Sequence, residues 1–171
     1  SRDINLNIAL SDFEGEETLN TVIDQNNNHT GLTTLNRNIA SNHQNSGFII
    51  KNSKIKVRKL ENIWSEYIQS DQEVHFLKID VEGLEYNVLN GNNWTINRPW
   101  IVLIESTLPL SKEEYYTKSE ILLKNANYDF VYSDGLNRFY IAKEKLDIKN
   151  LFKYPPNSLD GFCGYEEITL A

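Results

Sequence analysis

Phe76-Leu-Lys-Ile-Asp80-Val-Glu82-Gly83-Leu84-Glu-Tyr-Asn-Val88-Leu89-Asn90-Gly91 is the stretch that decides the fold. An apolar strand ends at Asp80, an acid and a glycine make a tight turn, and Leu84, Val88 and Leu89 begin a helical stripe. Such a strand-to-helix junction sits where open α/β sheets place their ligand crevice, outside the carboxyl ends of the strands. Asp, Glu and Gly at this place also serve as ordinary helix caps, so the junction alone does not establish a site.

A second run sharpens the reading. Pro99-Trp-Ile-Val-Leu-Ile-Glu105-Ser106 is again continuously apolar and ends in a carboxylate, the pattern of a strand buried on both faces. If the two strands are parallel neighbours joined by the 84–97 crossover, their ends lie ~4.8 Å apart. Asp80 and Glu105 then face one crevice.

The chain of 171 residues, 40% apolar and 11% aromatic, can bury the core of one domain spanning 1–171. Its formal charge of −7 and pI near 5.0 argue against a nucleic-acid partner. Lys51 to Lys59, the one basic stretch, alternates with Ile55 and Val57 as a strand with one solvated face does. The single cysteine, Cys163, excludes an internal disulfide and a cysteine zinc site and suggests a reducing compartment. With no run of ~18 apolar residues and no signal-peptide pattern, a cytoplasmic chain without a membrane span is expected.

Along the chain, Ile4–Leu10 reads as a strand closed by Ser11-Asp12, and Thr18–Ile23 as a strand or extended arm. Residues 24–53, rich in Asn, Ser, Thr and His, read as a polar loop or lid insertion. His29, His43 and His75 lack ligand spacing and read as scattered surface histidines, so no metal site is expected from them. Leu60–Ile68 is an amphipathic helix, Phe76–Ile79 a strand, Leu84–Asn90 a helix, Trp100–Ile104 a strand and Lys118–Asn127 a helix. This alternation points to a mostly parallel sheet. Asp129–Tyr132 and Arg138–Ala142, joined by turn formers, form an antiparallel hairpin at its edge. The tail Leu151–Phe162, with Pro155-Pro156, wraps around the sheet.

Several segments, in order, carry a family resemblance: the 76–91 run itself, Ile8-Ala-Leu-Ser-Asp-Phe-Glu-Gly15, His29-Thr-Gly-Leu-Thr-Thr-Leu35, Ile101-Val-Leu-Ile-Glu-Ser-Thr-Leu-Pro-Leu110, the 128–144 hairpin region and Tyr154-Pro-Pro-Asn-Ser-Leu-Asp-Gly-Phe162. Together they resemble the FkbM family of S-adenosylmethionine-dependent methyltransferases. The resemblance implies a Rossmann-like fold, S-adenosylmethionine as cofactor, and O-methylation of a sugar, glycan or natural-product hydroxyl, with glycan biosynthesis as the setting. The glycine-rich loop and the first two strands of that fold have no counterpart in the chain. A non-catalytic domain acting as a binding or interaction module is therefore the alternative, and the sheet edge left open suggests a homodimer.

The resemblance also suggests roles. Asp12, with Ser11, would meet the adenine amino group, although an Asx-turn accounts for Asp12 equally well. Asp80, Glu82 and Glu105 are the candidate catalytic acids, Asp80 as general base for the acceptor hydroxyl and as a cofactor neighbour. Asp80 and Glu105 could instead share a divalent cation, but no third ligand is evident and a metal-free reaction is preferred. The Ser133–Arg138 turn should lie at the carboxyl edge, so Asn137 and Arg138 would border the acceptor, Arg138 offering its planar fork to an anionic group. Tyr115 is the candidate for stacking on a sugar ring.

Overall fold

The computed structural model describes residues 3–108, 110–111 and 113–155. Cys163 and most of the Leu151–Phe162 tail lie outside them. Seven strands alternate unevenly with helices: β1 (Ala9–Ser11), β2 (Gly15–Ile23), α1 (Arg37–Asn45), β3 (Ile49–Lys59), α2 (Leu60–Tyr67), β4 (Phe76–Ile79), α3 (Glu85–Asn90), β5 (Ile101–Glu105), α4 (Thr117–Asn125), β6 (Tyr128–Ser133) and β7 (Asn137–Ala142). A 3-10 segment, Lys143–Phe152, follows. None of the described helices is long and apolar enough to cross a membrane.

The strands make two mixed sheets, which corrects the expectation of one mostly parallel sheet. In the order β1-β3-β2, β1 runs parallel to β3 and β2 runs antiparallel to it through nine pairs. In the order β4-β5-β7-β6, only β4 and β5 are parallel. The hairpin stands at the sheet edge as expected, with β7 on the inside, paired antiparallel to both β5 and β6, and β6 outermost. β6 consequently runs in the same direction as β4 and β5, and the turn after it lies at their carboxyl ends.

Burial follows strand position. Val102, Leu103 and Ile104 are all buried, so β5 is covered on both faces as its apolar run predicts. On β4, at the end of its sheet, only Ile79 is fully buried and Phe76 is 50% exposed, so that run is covered on one face. Ile79, Val88, Leu89, Val102, Ile104, Leu123, Tyr128 and Tyr140 form the core between sheet and helices. The Tyr128 hydroxyl donates to the Pro99 carbonyl at 2.7 Å, satisfying a polar group deep in that core.

Residues 24–53 are more ordered than their composition suggests. Asp24 accepts from the Asn26 and Asn28 amides as an Asx-turn, Asn36 caps α1 by accepting from the Asn38 and Ile39 amides, and residues 49–53 belong to β3. The polar residues here are turn and cap formers. His43, expected on the surface, is buried on α1 with its ring edge-on to Phe48, and burial pushes its pKa down.

Candidate active site

The parallel register of β4 and β5 ends on the pair Ile79 and Ile104. One residue further along each strand stand Asp80 and Glu105, so the two acids leave the sheet side by side. Glu82 joins them because the chain reverses at once: Glu82 has φ 54° and Gly83 φ 93°, two successive left-handed residues. The first is strained for a residue with a side chain and needs support from its surroundings.

That support comes from two directions. Glu85, only 4% exposed, accepts through Oε1 from the main-chain N–H groups of Val81 at 3.1 Å and Gly83 at 3.2 Å. From the other side, Thr34 donates its hydroxyl to the Glu82 carbonyl, and a Cβ on Gly83 would overlap the tip of Ile39. The 30–39 segment thus forms a wall against the acid turn. Sequence reading missed both supporting residues. Glu85, reaching back from the first turn of α3 to amides just before it, resembles the acid of a capping box and could have been found that way. Thr34 carries no local signal.

Asp80, Glu82 and Glu105 each present a carboxylate oxygen within 4.8 Å of the others. Lys78 Nζ lies 2.6 Å from Asp80 Oδ2. One oxygen each of Glu82 and Glu105 is buried without a hydrogen-bond partner among the described residues. Burial, reinforced by the charges of Asp80 and Glu85, pushes Glu82 up to about 7. Burial, with the charges of Glu82, Asp80 and Glu85, does the same to Glu105. Carboxylates this close oppose each other's ionisation, so both take up protons at a higher pH than an ordinary glutamate. Three such oxygens are also spaced so that a single hard divalent cation could bridge them.

Members of this cluster line two cavities. One of about 430 Å³ has Glu82 and Glu105 in its lining with Thr107, Ser111 and three leucines. The other, about 330 Å³, is largely apolar and contains Leu10, Thr34 and Leu84 along with Asp80. A separate depression of about 960 Å³ around Arg98, at the amino end of β5, contains none of the three acids.

The remaining candidates are distributed as follows. Asp12 accepts from Asn87 and Asn90 of α3 and from Ser11, and these bonds hold its carboxylate below the usual range against a burial that would raise it. Ser11 is buried, and a Cβ on Gly91 would overlap its carbonyl oxygen, so β1 and the end of α3 touch through backbone. Asn137 pairs with Glu105 in the sheet register, but its side chain donates to Asp134. Tyr115 is half exposed, its amide bonded to the Ser106 carbonyl.

Arg138 departs from the expectation of an open fork. Its guanidinium is bonded to Glu120 at 2.6 Å and to the Tyr140 hydroxyl at 3.1 Å, and lies between the rings of Tyr116 and Phe130 at 3.8 and 3.9 Å. A cation so enclosed holds α4 against the hairpin. It is not available to an anionic ligand.

Searches of curated proteins and of solved structures returned no match. The family model described as "Methyltransferase FkbM domain" matches residues 1–132, a span that contains β1, the acid turn, β5 and the helix after it. The carboxylate junction between β4 and α3 lies inside that span, and the chain belongs to the FkbM methyltransferase domain family.

Proposed function

We propose that the protein transfers a methyl group from S-adenosylmethionine to a hydroxyl of a sugar or natural product, using the acid cluster at the ends of β4 and β5. The observation that carries this reading is the convergence of Asp80, Glu82 and Glu105, which between them line two cavities. The residues present suit a cationic donor. Two buried carboxylate oxygens lack partners, and Asp80 stands in the wall of an apolar cavity where a neighbouring positive charge would be favoured.

S-adenosylmethionine supplies an electrophilic methyl group. The chain has to aim an acceptor oxygen and remove its proton. Glu82 and Glu105, raised to about 7, are better matched to that proton transfer than an ordinary carboxylate, because a general base works best with a pKa near the operating pH. The hydroxyl proton would pass to whichever oxygen of the pair is ionised. Asp80, tied to Lys78, is then better suited to the donor side than to the role of base first expected for it. Asp12 and Ser11 remain the residues proposed for the adenine end.

Calorimetric titration with S-adenosylhomocysteine tests the cofactor part without an acceptor. Micromolar binding that weakens in Asp80→Asn is expected. No binding by the intact protein would remove methyl transfer from consideration.

A further inference from the structure

The 430 Å³ cavity is within the size range of small-molecule sites, and its lining is divided. Its floor carries Glu82 and Glu105. Its walls carry Leu32, Leu110 and Leu136 from three separate segments. Leu110 is 68% and Leu136 49% exposed, so both offer apolar surface that no described residue covers.

These walls are built rather than loose. The Leu136 carbonyl accepts from both the N–H and the hydroxyl of Ser106, each at 2.8 Å, and its N–H donates to Asp134. The Leu136 backbone is thus held on both sides where its side chain lines the cavity. Leu110 is held at φ 56°, a conformation that a leucine adopts only when its surroundings impose it.

The charge of the cavity is one-sided. No described lining residue is cationic, and the nearby Arg138 is closed off by Glu120 and two aromatic rings. An anionic ligand would meet two carboxylates with no cation among the described lining residues, whereas a hydroxyl can donate to either.

We infer that the acceptor of this protein is amphipathic and carries no negative charge: a hydroxyl-bearing ring whose polar edge reaches the Glu82–Glu105 floor and whose apolar substituent lies along Leu32, Leu110 and Leu136. This rests on reading the cavity as the acceptor side of a methyl-transfer site, and it excludes phosphorylated and carboxylated sugars as acceptors.

Calorimetry with three probes, each below its micelle-forming concentration, tests it: octyl β-glucoside, methyl β-glucoside and octyl β-glucuronide. Octyl β-glucoside is expected to bind saturably, about tenfold tighter than the methyl glycoside, the effect of burying roughly two methylene groups. The glucuronide should bind at least about tenfold more weakly than the octyl glucoside, a loss of about 1.4 kcal/mol. Leu136→Ser should remove most of the octyl preference, and Leu110→Ser, at a position exposed enough to spare the core, should do the same. Equal binding of octyl and methyl glycosides, or preference for the glucuronide, overturns the inference. S-adenosylhomocysteine binding separates the two failures. If it is retained while the octyl preference is missing, methyl transfer stands and this acceptor class falls. If it is absent while the octyl preference is present, methyl transfer falls and the acceptor role with it, and the cavity is left as a binding site for an uncharged amphipathic ring.

Discussion

The Thr34 hydroxyl donates to the main-chain carbonyl of Glu82 at 2.9 Å, across 48 residues of sequence. Thr34 is 1% exposed, and the same oxygen accepts from the Asn36 amide at 3.0 Å. One hydroxyl therefore ties the acid turn to the cap of α1.

Thr34→Val keeps the shape and removes both bonds. Leaving a buried carbonyl and amide without a partner costs about 1–3 kcal/mol. Urea unfolding should show that loss, and Thr34→Ser should recover most of it. An unchanged midpoint in the valine variant would mean that the turn does not depend on Thr34.

Glu85→Gln and Glu85→Ala should separate. The glutamine carbonyl can still accept from Val81 and Gly83, whereas alanine leaves both amides unpaired and frees Glu82 from its left-handed conformation. Amide exchange at Val81 and Gly83 should accelerate strongly in the alanine variant and little in the glutamine variant. Equal protection in the two would rule out the proposed cradle.

The raised acids fix the sign of the pH dependence. Glu82 and Glu105 titrate near 7 when folded, against an ordinary glutamate value of 4.5 when unfolded. Between those values the folded state binds more protons, so stability falls as pH rises from about 4.5 to about 7 and the loss is complete above that. Glu105→Gln should flatten this slope and stabilise the protein at pH 8. Methyl transfer should rise with pH through about 7 as the pair ionises. Stability that climbs over this window and drops no further in the variant would contradict the assignment.

Gly91→Ala tests the contact between β1 and α3. The added methyl would overlap the main-chain oxygen of Ser11, which cannot swing aside as a side-chain tip can. Forcing the two apart should cost about 1–3 kcal/mol. It should also weaken S-adenosylhomocysteine binding if Ser11 and Asp12 serve the adenine end. Gly91 has φ −81°, which alanine adopts without strain, so the loss reports the clash alone.

How much of this was legible in the sequence differs from element to element. β4, α3 and β5 could be read almost to the residue, because their apolar runs are bounded by acids and a glycine. The adjacency of Asp80 and Glu105 followed once parallel pairing was assumed. Strand order was hidden: no periodicity says that β7 lies between β5 and β6, since that order is set by long-range pairing. α1 was hidden as well, because its buried positions are Ala40 and His43 and leave no apolar stripe. Glu82 was recognised as chemistry-bearing, but its inward aim depends on Thr34 and Glu85. The fate of Arg138 depended on Glu120, Tyr116 and Phe130, which only tertiary packing brings around it.

The pair of hydrogen bonds that Ser106 donates to the Leu136 carbonyl clips the tip of the β6–β7 hairpin to the end of β5. Acids and apolar wall therefore sit on different pieces of chain, joined by this clip and by the β5–β7 pairing behind it. Changes to side chains along the tip can reshape what the cavity admits while the carboxylates keep their places, so that selectivity and chemistry can diversify separately. A change in turn length has no such freedom, because it would pull the wall off its anchor.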